Sequence, residues 1–211
     1  GMNRKTHAFN KGIDRAVLRP ASQVYGALVP SVIRKSVSNV SNNLSTPLDI
    51  INGILQGKIG TAGKNVFRFA LNSTIGILGL FDPANEIGLD AEPTDFGLTL
   101  AHWGTKKGAY IELPLLGPST ARDAMGRVVD AVINPARIFL PDDTANTQHI
   151  LSGANTIGIR YDLRRLVDGI LYESTDSYAQ TRLIYLQNRR FNAEETAPED
   201  EDAFYDELYY E

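Results

Sequence analysis

The sequence contains no cysteine, so disulfides, thiolate metal ligands and a cysteine nucleophile are excluded. It also has no run of about 18 apolar residues, and no segment is therefore predicted to cross a bilayer as a single helix. Histidine is scarce, and His7, His102 and His149 lie far apart without acidic partners at metal-ligand spacing. We expect each to be a surface or hairpin residue, and the sequence predicts neither a metal site nor a cofactor.

Recognisable catalytic motifs are also missing. There is no P-loop, and no glycine fingerprint follows a plausible parallel strand. The run "GPST" does not match the G-x-S-x-G of serine hydrolases, and a helix cap accounts for Ser119 better than a nucleophile does. Asp95 and Asp123 could pair in space, but caps and salt bridges are the commoner roles of such carboxylates. The residues therefore predict a protein that is not an enzyme.

Basic residues are absent from one end of the chain. Nine of the 25 acidic residues lie after Ala193, where no lysine or arginine occurs, which leaves 16 acids against 21 bases in residues 1–193. This basic excess is too diffuse, and too poor in interleaved aromatics, to predict a nucleic-acid surface. Residues 193–211 are predicted to be an acidic, poorly ordered tail.

Apolar residues recur at helical spacing through most of what remains, and this pattern predicts a single, mostly helical domain. One helix is expected over residues 29–44. A separate short helix is expected to begin at Thr46 as N-cap, with Pro47 in its first turn, and to end at Gly57. Further helices are predicted over residues 61–72, 119–134, 159–170 and 178–191, and either Ser119 or Thr120 is expected to cap the second of them.

One segment departs from the helical pattern. Thr99–Trp103 and Ala109–Leu113 are short apolar runs joined by "GTKKG". Glycines at both corners and a polar tip predict a β-hairpin, with Gly104 and Gly108 as its hinges. A lone hairpin is marginal in water, so helices or another apolar partner must lie against it.

The middle of the chain, from about Val66 to Gly117, is apolar and rich in glycine. The run "NSTIGILGLFDPANEIGL" has too many glycines for a core helix and too many charges for a membrane span. Aliphatic side chains on such pliable loops favour an apolar cavity or a lipid-facing belt, while an ordinary core with glycines at helix ends stays open as the other interpretation.

Several stretches then follow one another in a fixed order. They are "AFNKGID" with "RP" after it, "VPSVIRKSVSNVSNNLSTPLDIINGILQGK", "RFALNSTIGILGLFDPANEIGL", "DFGLTLAHWGTKKGAYIELPLLGPSTARD" and "YLQNRR". Together they resemble the MlaA (VacJ-like) family of outer-membrane phospholipid-transport lipoproteins, over about Phe9 to Arg190. The long motif from "DFG" to "RD" is the most specific part of this resemblance.

The resemblance implies a function and a location. The family is anchored through a lipidated N-terminal cysteine in the inner leaflet of the outer membrane, on its periplasmic side, and such an anchor would lie upstream of this sequence. Its helical body forms a ring in that leaflet, with a central amphipathic channel for mislocalised phospholipid. A trimeric outer-membrane porin and a soluble periplasmic lipid carrier are the implied partners, and no bond is made or broken.

The resemblance also implies roles for residues. Leu78, Leu80 and Phe81 are expected to face acyl chains, and the segment Thr99–Leu113 to be the channel-side hairpin. The full expected lipid-facing or channel set is Leu78, Leu80, Phe81, Trp103, Tyr110, Leu113, Leu115 and Leu116, with Trp103 and Tyr110 at the lipid–water boundary. The two lysines at the tip of "GTKKG" are a departure from the family pattern.

The expected domain organisation is an N-terminal linker over residues 1–8, beginning with a glycine ahead of Met2 that we take for a remnant of cloning, then a helical domain over 9–192 and the tail over 193–211. Two alternatives stay open. One is a lipid-active hydrolase that uses Ser119 or Asp123, and the other is a protein-interaction module whose apolar middle is an interface.

Overall fold

The computed structural model describes residues 1–135 and 142–193, so the predicted acidic tail lies outside the described residues. Within the described residues the chain is helical apart from one pair of short antiparallel strands. This arrangement confirms the predicted fold class of helices with a single β-hairpin. None of the helices in these two ranges is long and apolar enough to cross a membrane.

The chain begins with a nearly continuous helical rod. It consists of α1 (Met2–Ile13), a π-helical segment (Asp14–Leu18) and α2 (Arg19–Leu28). The amide of Arg19 donates to the carbonyl of Asp14, five residues back, which is the wide hydrogen bond of a π-helix. Residues 2–8, expected to be a linker, instead form the first turns of α1, where Asn3 donates to the Tyr110 carbonyl at 2.9 Å.

The two helices predicted on either side of Thr46 are one helix, α3 (Ser31–Leu55). The prediction of Thr46 as an N-cap was wrong, because its hydroxyl donates back to the Asn42 carbonyl and the helix continues through Pro47. Pro47 removes only one backbone donor. The predicted end at Gly57 is confirmed, since Gly57 has a φ of +68° and the amides of Gly57 and Lys58 donate to Ile54 and Gly53.

Helix α4 (Ile59–Thr74) follows, then a tight loop, the single turn α5 (Pro83–Glu86) and α6 (Phe96–His102). The first strand of the predicted hairpin is therefore wrong, because Thr99–Trp103 is helical: it forms the second half of α6 and its C-cap. Asp95 starts this helix by accepting a hydrogen bond from the Leu98 amide at 2.9 Å. An N-cap located three residues before Leu98 outweighs the strand preference of a short apolar run.

The hairpin forms one segment later than predicted. The second predicted run is correct, as β1 spans Tyr110–Leu113, but its partner is β2 (Gly117–Thr120). Gly104 and Gly108 are thus not hairpin corners, and both lie in the loop that joins α6 to β1. The turn is made by Pro114, Leu115 and Leu116, with Leu115 and Gly117 at positive φ.

Helix α7 (Ala121–Ile133) begins where the sequence predicted, and Thr120 caps it by accepting from the Asp123 amide. The remaining described elements are α8 (Asp142–Asp162), α9 (Arg164–Asp168), a π-helical turn (Gly169–Glu173) and α10 (Ser177–Ala193). Helix α3 packs on α4 and α8, α8 on α2, and α6 on α7. The α6–α7 contact requires glycine, since a Cβ on Gly126 would lie 2.3 Å from the Gly97 nitrogen.

Candidate functional site: polar interior and apolar exterior

The described residues bury mostly polar side chains. The buried apolar side chains are Ala62, Ala84, Leu98, Tyr110 and Leu186, whereas nineteen polar or charged residues are buried. Water-soluble domains show the opposite preference, because lysine, arginine, aspartate and glutamate are almost never fully buried unless paired. The interior of this fold is therefore organised by hydrogen bonds and ion pairs.

Large apolar side chains lie on the outside instead. Val66 and Phe67 of α4 are exposed while Arg68, next to them, is buried. Helix α7 exposes Met125, Val128 and Val132, which share one face. Scattered exposed apolar residues are normal, but whole apolar helix faces mark a surface that meets another apolar phase or partner.

The loop between α4 and α5 projects the apolar residues that the sequence singled out. Leu78 is 74% exposed, and Leu80 and Phe81 are also exposed. Ile77 and Leu78 have φ values of +54° and +56°, a conformation that L-residues adopt only at a cost. Strain of this kind persists when the surroundings impose it, and it clusters at functional sites.

Hydrogen bonds inside the loop impose that conformation. The amides of Leu78 and Gly79 donate to the carbonyls of Ser73 and Asn72, and the Phe81 amide donates to Gly76. Asn72 is itself held by Asp82, whose carboxylate accepts from its side-chain amide at 2.8 Å. The loop is thus rigidly built with its aliphatic side chains turned outward.

The structure separates the other members of the predicted lipid-facing set. Trp103 is exposed, and its indole N–H donates to the Leu55 carbonyl at 3.0 Å. Leu115 and Leu116 are exposed at the hairpin turn, and Leu113 is half-buried. Tyr110 corrects the prediction of a boundary residue, since it is 3% exposed and packs against Tyr178 and Tyr185.

One buried ion network joins the N-terminal rod to α8 and α9. Arg160 donates to both oxygens of Asp14, at 2.8 and 2.9 Å, and to Asp168 at 2.6 Å. Tyr172 adds a hydrogen bond to Asp14 at 2.7 Å. Burial would raise the pKa of Asp14, but the hydrogen bonds from Arg160 and Tyr172 outweigh it and hold the pKa below its usual value.

A second network brings together the two carboxylates that the sequence analysis considered. Arg189 pairs with Asp95 at 2.5 and 2.9 Å and with Asp123 at 2.7 Å. Tyr185 donates to the other oxygen of Asp123, and Asp95 also caps α6. Burial opposes ionisation of Asp123, but the bonds from Tyr185 and Arg189 lower its pKa overall. The predicted roles of cap and salt bridge are confirmed for this pair.

Asparagine forms much of the remaining interior. Asn52 accepts from the Thr99 hydroxyl at 2.8 Å and donates to Asp130 at 3.0 Å, and Gln56 donates to the same hydroxyl. This network ties α3 to α6 and α7. The prediction missed it, although Asn65, Arg68 and Asn72 recur at helical spacing on α4, which is a legible sign of a polar inward face.

Two adjoining cavities lie beside α3. A polar cavity of about 220 Å³ lies between α3, α4 and the segment 82–93, and asparagine, aspartate and arginine line it. A more open, mostly apolar groove of about 490 Å³ lies between the start of α3 and the loop 75–86. Asn39 and Asp82 line both, so an apolar and a polar compartment lie next to each other here.

The side chains considered as a nucleophile or as metal ligands are engaged in structural contacts. Ser119 is buried and donates to the Thr120 carbonyl, so it is not an available nucleophile. His7, expected at the surface, is buried between Glu112 at 3.2 Å and Ser177 at 3.1 Å. Among the described residues no group of three or more histidine, aspartate and glutamate side chains is placed to hold a metal ion.

The sequence of this chain is similar to those of several known proteins. Residues 1–192 match the family model described as MlaA lipoprotein. A protein of Rickettsia typhi is 36% identical over 181 residues, covering 85% of this chain and 71% of the relative. The intermembrane phospholipid transport system lipoprotein MlaA of Escherichia coli strain K12 is 32% identical over 197 residues, covering 92% of this chain and 76% of that protein.

A solved structure described as "Structural basis for maintenance of bacterial outer membrane lipid asymmetry" is also similar. It superposes with a TM-score of 0.76 at 31% sequence identity, and the match covers 90% of this chain and 96% of the other.

Proposed function

This chain belongs to the MlaA lipoprotein family, and we propose that it removes mislocalised phospholipid from the outer membrane and so maintains lipid asymmetry. The relatives named as phospholipid transport lipoproteins support the process. The reversed burial pattern supports it independently, because side chains such as Leu78 and Phe67 face outward while Arg160 and Asn52 are enclosed.

That burial pattern is the observation that carries the proposal. Exposing many large aliphatic side chains to water is unfavourable by roughly 25 cal/mol per Å² of apolar area. The same surface is favourable against acyl chains. We propose that the body lies in one leaflet, in an apolar belt about 15 Å deep, which is about half of a hydrocarbon core.

The two cavities supply an amphipathic path. The apolar groove, lined by Val32, Ile75 and Phe81, suits an acyl chain, and the polar cavity suits a head group. We propose that Leu78, Leu80 and Phe81 touch the lipid phase, and that Leu115 and Leu116 at the hairpin turn do so as well. A trimeric porin, a soluble periplasmic carrier and a lipid anchor upstream of this sequence complete the proposed setting in the inner leaflet.

The loop from Gly104 to Gly108 takes over the proposed hinge role. Both glycines have positive φ, so the loop between α6 and β1 changes conformation at low steric cost. Trp103 lies directly before it, on the exterior. We propose that movement here lets lipid pass, as lids and loops do in many proteins.

Lipid extraction tests the transport proposal. The full chain, produced with its membrane anchor and extracted in mild detergent, should carry phospholipid detectable by mass spectrometry. It should also restore detergent resistance to cells that lack the protein. A purified, folded protein that carries no phospholipid and fails to restore resistance would contradict transport.

One observation favours hydrolysis as a second candidate function. Ser177, His7 and Glu112 are linked in the order of a serine hydrolase triad. Glu112 also accepts hydrogen bonds from Tyr110 and Asn10. Such additional bonds are typical of a structural network, in which the buried His7 joins α1 to β1 and α10. We rank hydrolysis second, and expect phospholipid ester cleavage by the wild type to equal that by Ser177→Ala. Cleavage that disappears in Ser177→Ala would reverse this order.

A further inference from the structure

Asn43 lines the polar cavity and has an acceptor without a hydrogen-bond partner. Its side chain is 6% exposed, and its Nδ2 donates to the Ser73 hydroxyl at 3.0 Å. Its Oδ1 is buried and accepts no hydrogen bond from the described residues. Native structures satisfy nearly all such groups, because a buried acceptor without a donor is unfavourable. Because Asn43 lines the polar cavity, a ligand bound there could satisfy this Oδ1 once the side chain turns toward it.

Asp49 adds an unpaired carboxylate to the same cavity. Its Oδ1 accepts from the Thr94 amide at 2.9 Å, and no lysine or arginine of the described residues forms an ion pair with it. Burial, and then the charges of Asp95 and Asp130, raise its pKa to about 7. A cation in the cavity would offset both effects.

The other charges on this cavity already have partners. Arg68 pairs with Asp82 at 3.1 Å. Glu92 pairs with Lys64 at 2.8 Å. The carboxylate of Asp49 is thus the charge that a ligand would meet, and the complementary ligand group is a hydrogen-bonding cation.

The order of groups along α3 matches a particular kind of amphiphile. Val32 and Lys35 line the apolar groove, Asn39 lines both cavities, and Asn43 and Asp49 line the polar one. The first four of these positions follow one face of the helix at steps of about 6 Å per four residues, and Asp49 lies further along, about a third of a turn round the helix. An acyl chain, a phosphate and an ammonium, in that order, would meet an apolar, a cationic and an anionic part of this face.

We infer that the polar cavity is a head-group site for a primary ammonium, so that the protein prefers an aminophospholipid such as phosphatidylethanolamine. The inference rests on the proposed function, because it specifies which lipid the transport site selects. Asn43 accepts one N–H of the ammonium, and Asp49 accepts another and balances its charge.

A competition experiment tests the preference. The full chain in detergent is incubated with equal amounts of phosphatidylethanolamine, phosphatidylglycerol and phosphatidylcholine of identical acyl chains, and bound lipid is quantified by mass spectrometry. We expect about fivefold enrichment of phosphatidylethanolamine over each of the others, since a charge-assisted hydrogen bond is stronger than a neutral one. The choline head group is charged but has no N–H to donate.

Variants assign the preference to this cavity. Asp49→Asn keeps the shape and should reduce the enrichment to about one, whereas Asn43→Asp adds a carboxylate and should increase it. Asp90→Asn, at an exposed position outside both cavities, is the matched control and should match the wild type. Circular dichroism checks folding, and Asn43→Asp remains informative if Asp49→Asn fails to fold.

The total amount of bound lipid tests the transport proposal, and the ratio of the three lipids tests the head-group inference. Equal binding of the three lipids by the wild type would overturn the head-group inference and leave the transport proposal standing. Enrichment that persists unchanged in Asp49→Asn and Asn43→Asp would also overturn it. If neither the wild type nor the control binds any lipid, the transport proposal fails, and the head-group inference fails with it.

Discussion

At the scale of single residues, the fold depends on buried charges that are neutralised locally. Arg160 is enclosed with two aspartates, and Arg189 with two more. Such networks require that every member be present, because removal of one leaves a charge buried without a partner. Asp49 is held differently, by a backbone hydrogen bond and without an ion pair among the described residues.

Arg160→Ala is expected to lower the free energy of unfolding by about 3–5 kcal/mol, because Asp14 then stays buried without its main partner. Denaturant titration followed by circular dichroism measures the loss. Arg164→Ala is the control, since Arg164 is exposed and donates only to the Tyr161 carbonyl, and its cost should be below about 1 kcal/mol. Equal losses in the two variants would argue against a buried network.

Asp49 should give stability a distinct pH dependence. Its pKa is about 7 in the folded protein against 3.8 for an ordinary aspartate, so the folded state holds the proton more tightly. Stability is therefore lost as pH rises from about 4 through 7, on the order of 2 kcal/mol. Asp49→Asn should remove this decline, which denaturation at pH 5 and pH 8 would show. The same slope in both proteins would refute the assignment.

At the scale of elements, two loops carry the proposed lipid contact and the proposed movement. The loop that carries Ile77 and Leu78 keeps two non-glycine residues at positive φ, whereas the loop after α6 places Gly104 at +83°, which glycine adopts at low cost. Hydrogen bonds within the first loop hold its conformation, whereas the second has glycines at both ends and is the one proposed to move.

Leu78→Asn separates the fold from the proposed lipid contact. Asparagine tolerates the left-handed conformation better than leucine, so stability should stay equal or rise by up to about 1 kcal/mol. Membrane association should weaken, because an apolar group at the surface is lost. Thermal denaturation and vesicle flotation measure the two effects, and Leu78→Met, which stays apolar, is the control. Unchanged flotation of Leu78→Asn would contradict a lipid-facing role.

Gly104→Pro should impair transport without unfolding the helical body. Proline cannot adopt positive φ, and it removes the N–H that donates to the Ala101 carbonyl at 2.8 Å. The end of α6 and the loop to β1 would be disturbed. Gly104→Asn keeps the N–H and tolerates positive φ, so it should behave like the wild type.

The assay for this pair is restoration of detergent resistance in cells lacking the protein, with circular dichroism as the folding control. Full restoration by a folded Gly104→Pro variant would show that transport does not require this loop to move.

At the scale of the whole molecule, the reversal of burial predicts how the protein sits against lipid. Trp103 is the only tryptophan in the sequence and is exposed, so it reports its surroundings without a label. Phospholipids brominated along their acyl chains should quench its fluorescence in vesicles, most strongly for bromines near the head group, where tryptophan prefers to lie. Quenching by a soluble agent alone, with none by brominated lipid, would place Trp103 away from the membrane.

The sequence by itself determined whatever depends on neighbouring residues. Thr120 caps α7 by accepting from the amide three residues later. Gly57 ends α3 because glycine adopts the positive φ of that turn without steric cost. The outward position of Leu78 was also predictable, since a glycine-rich apolar run offers no helical stripe to bury. Helical periodicity and these local signals were enough to predict a helical domain with one hairpin.

Only the tertiary structure decided which segments meet. It pairs β1 with Gly117–Thr120 instead of Thr99–Trp103, keeps α3 helical through Pro47, and buries His7 and Tyr110. Arg160 reaches Asp14 across 146 positions, and Arg189 reaches Asp123 across 66. No local pattern encodes such partners, because a charge is stable in the interior only when the fold brings its counter-charge to it, and that proximity is a property of the whole chain.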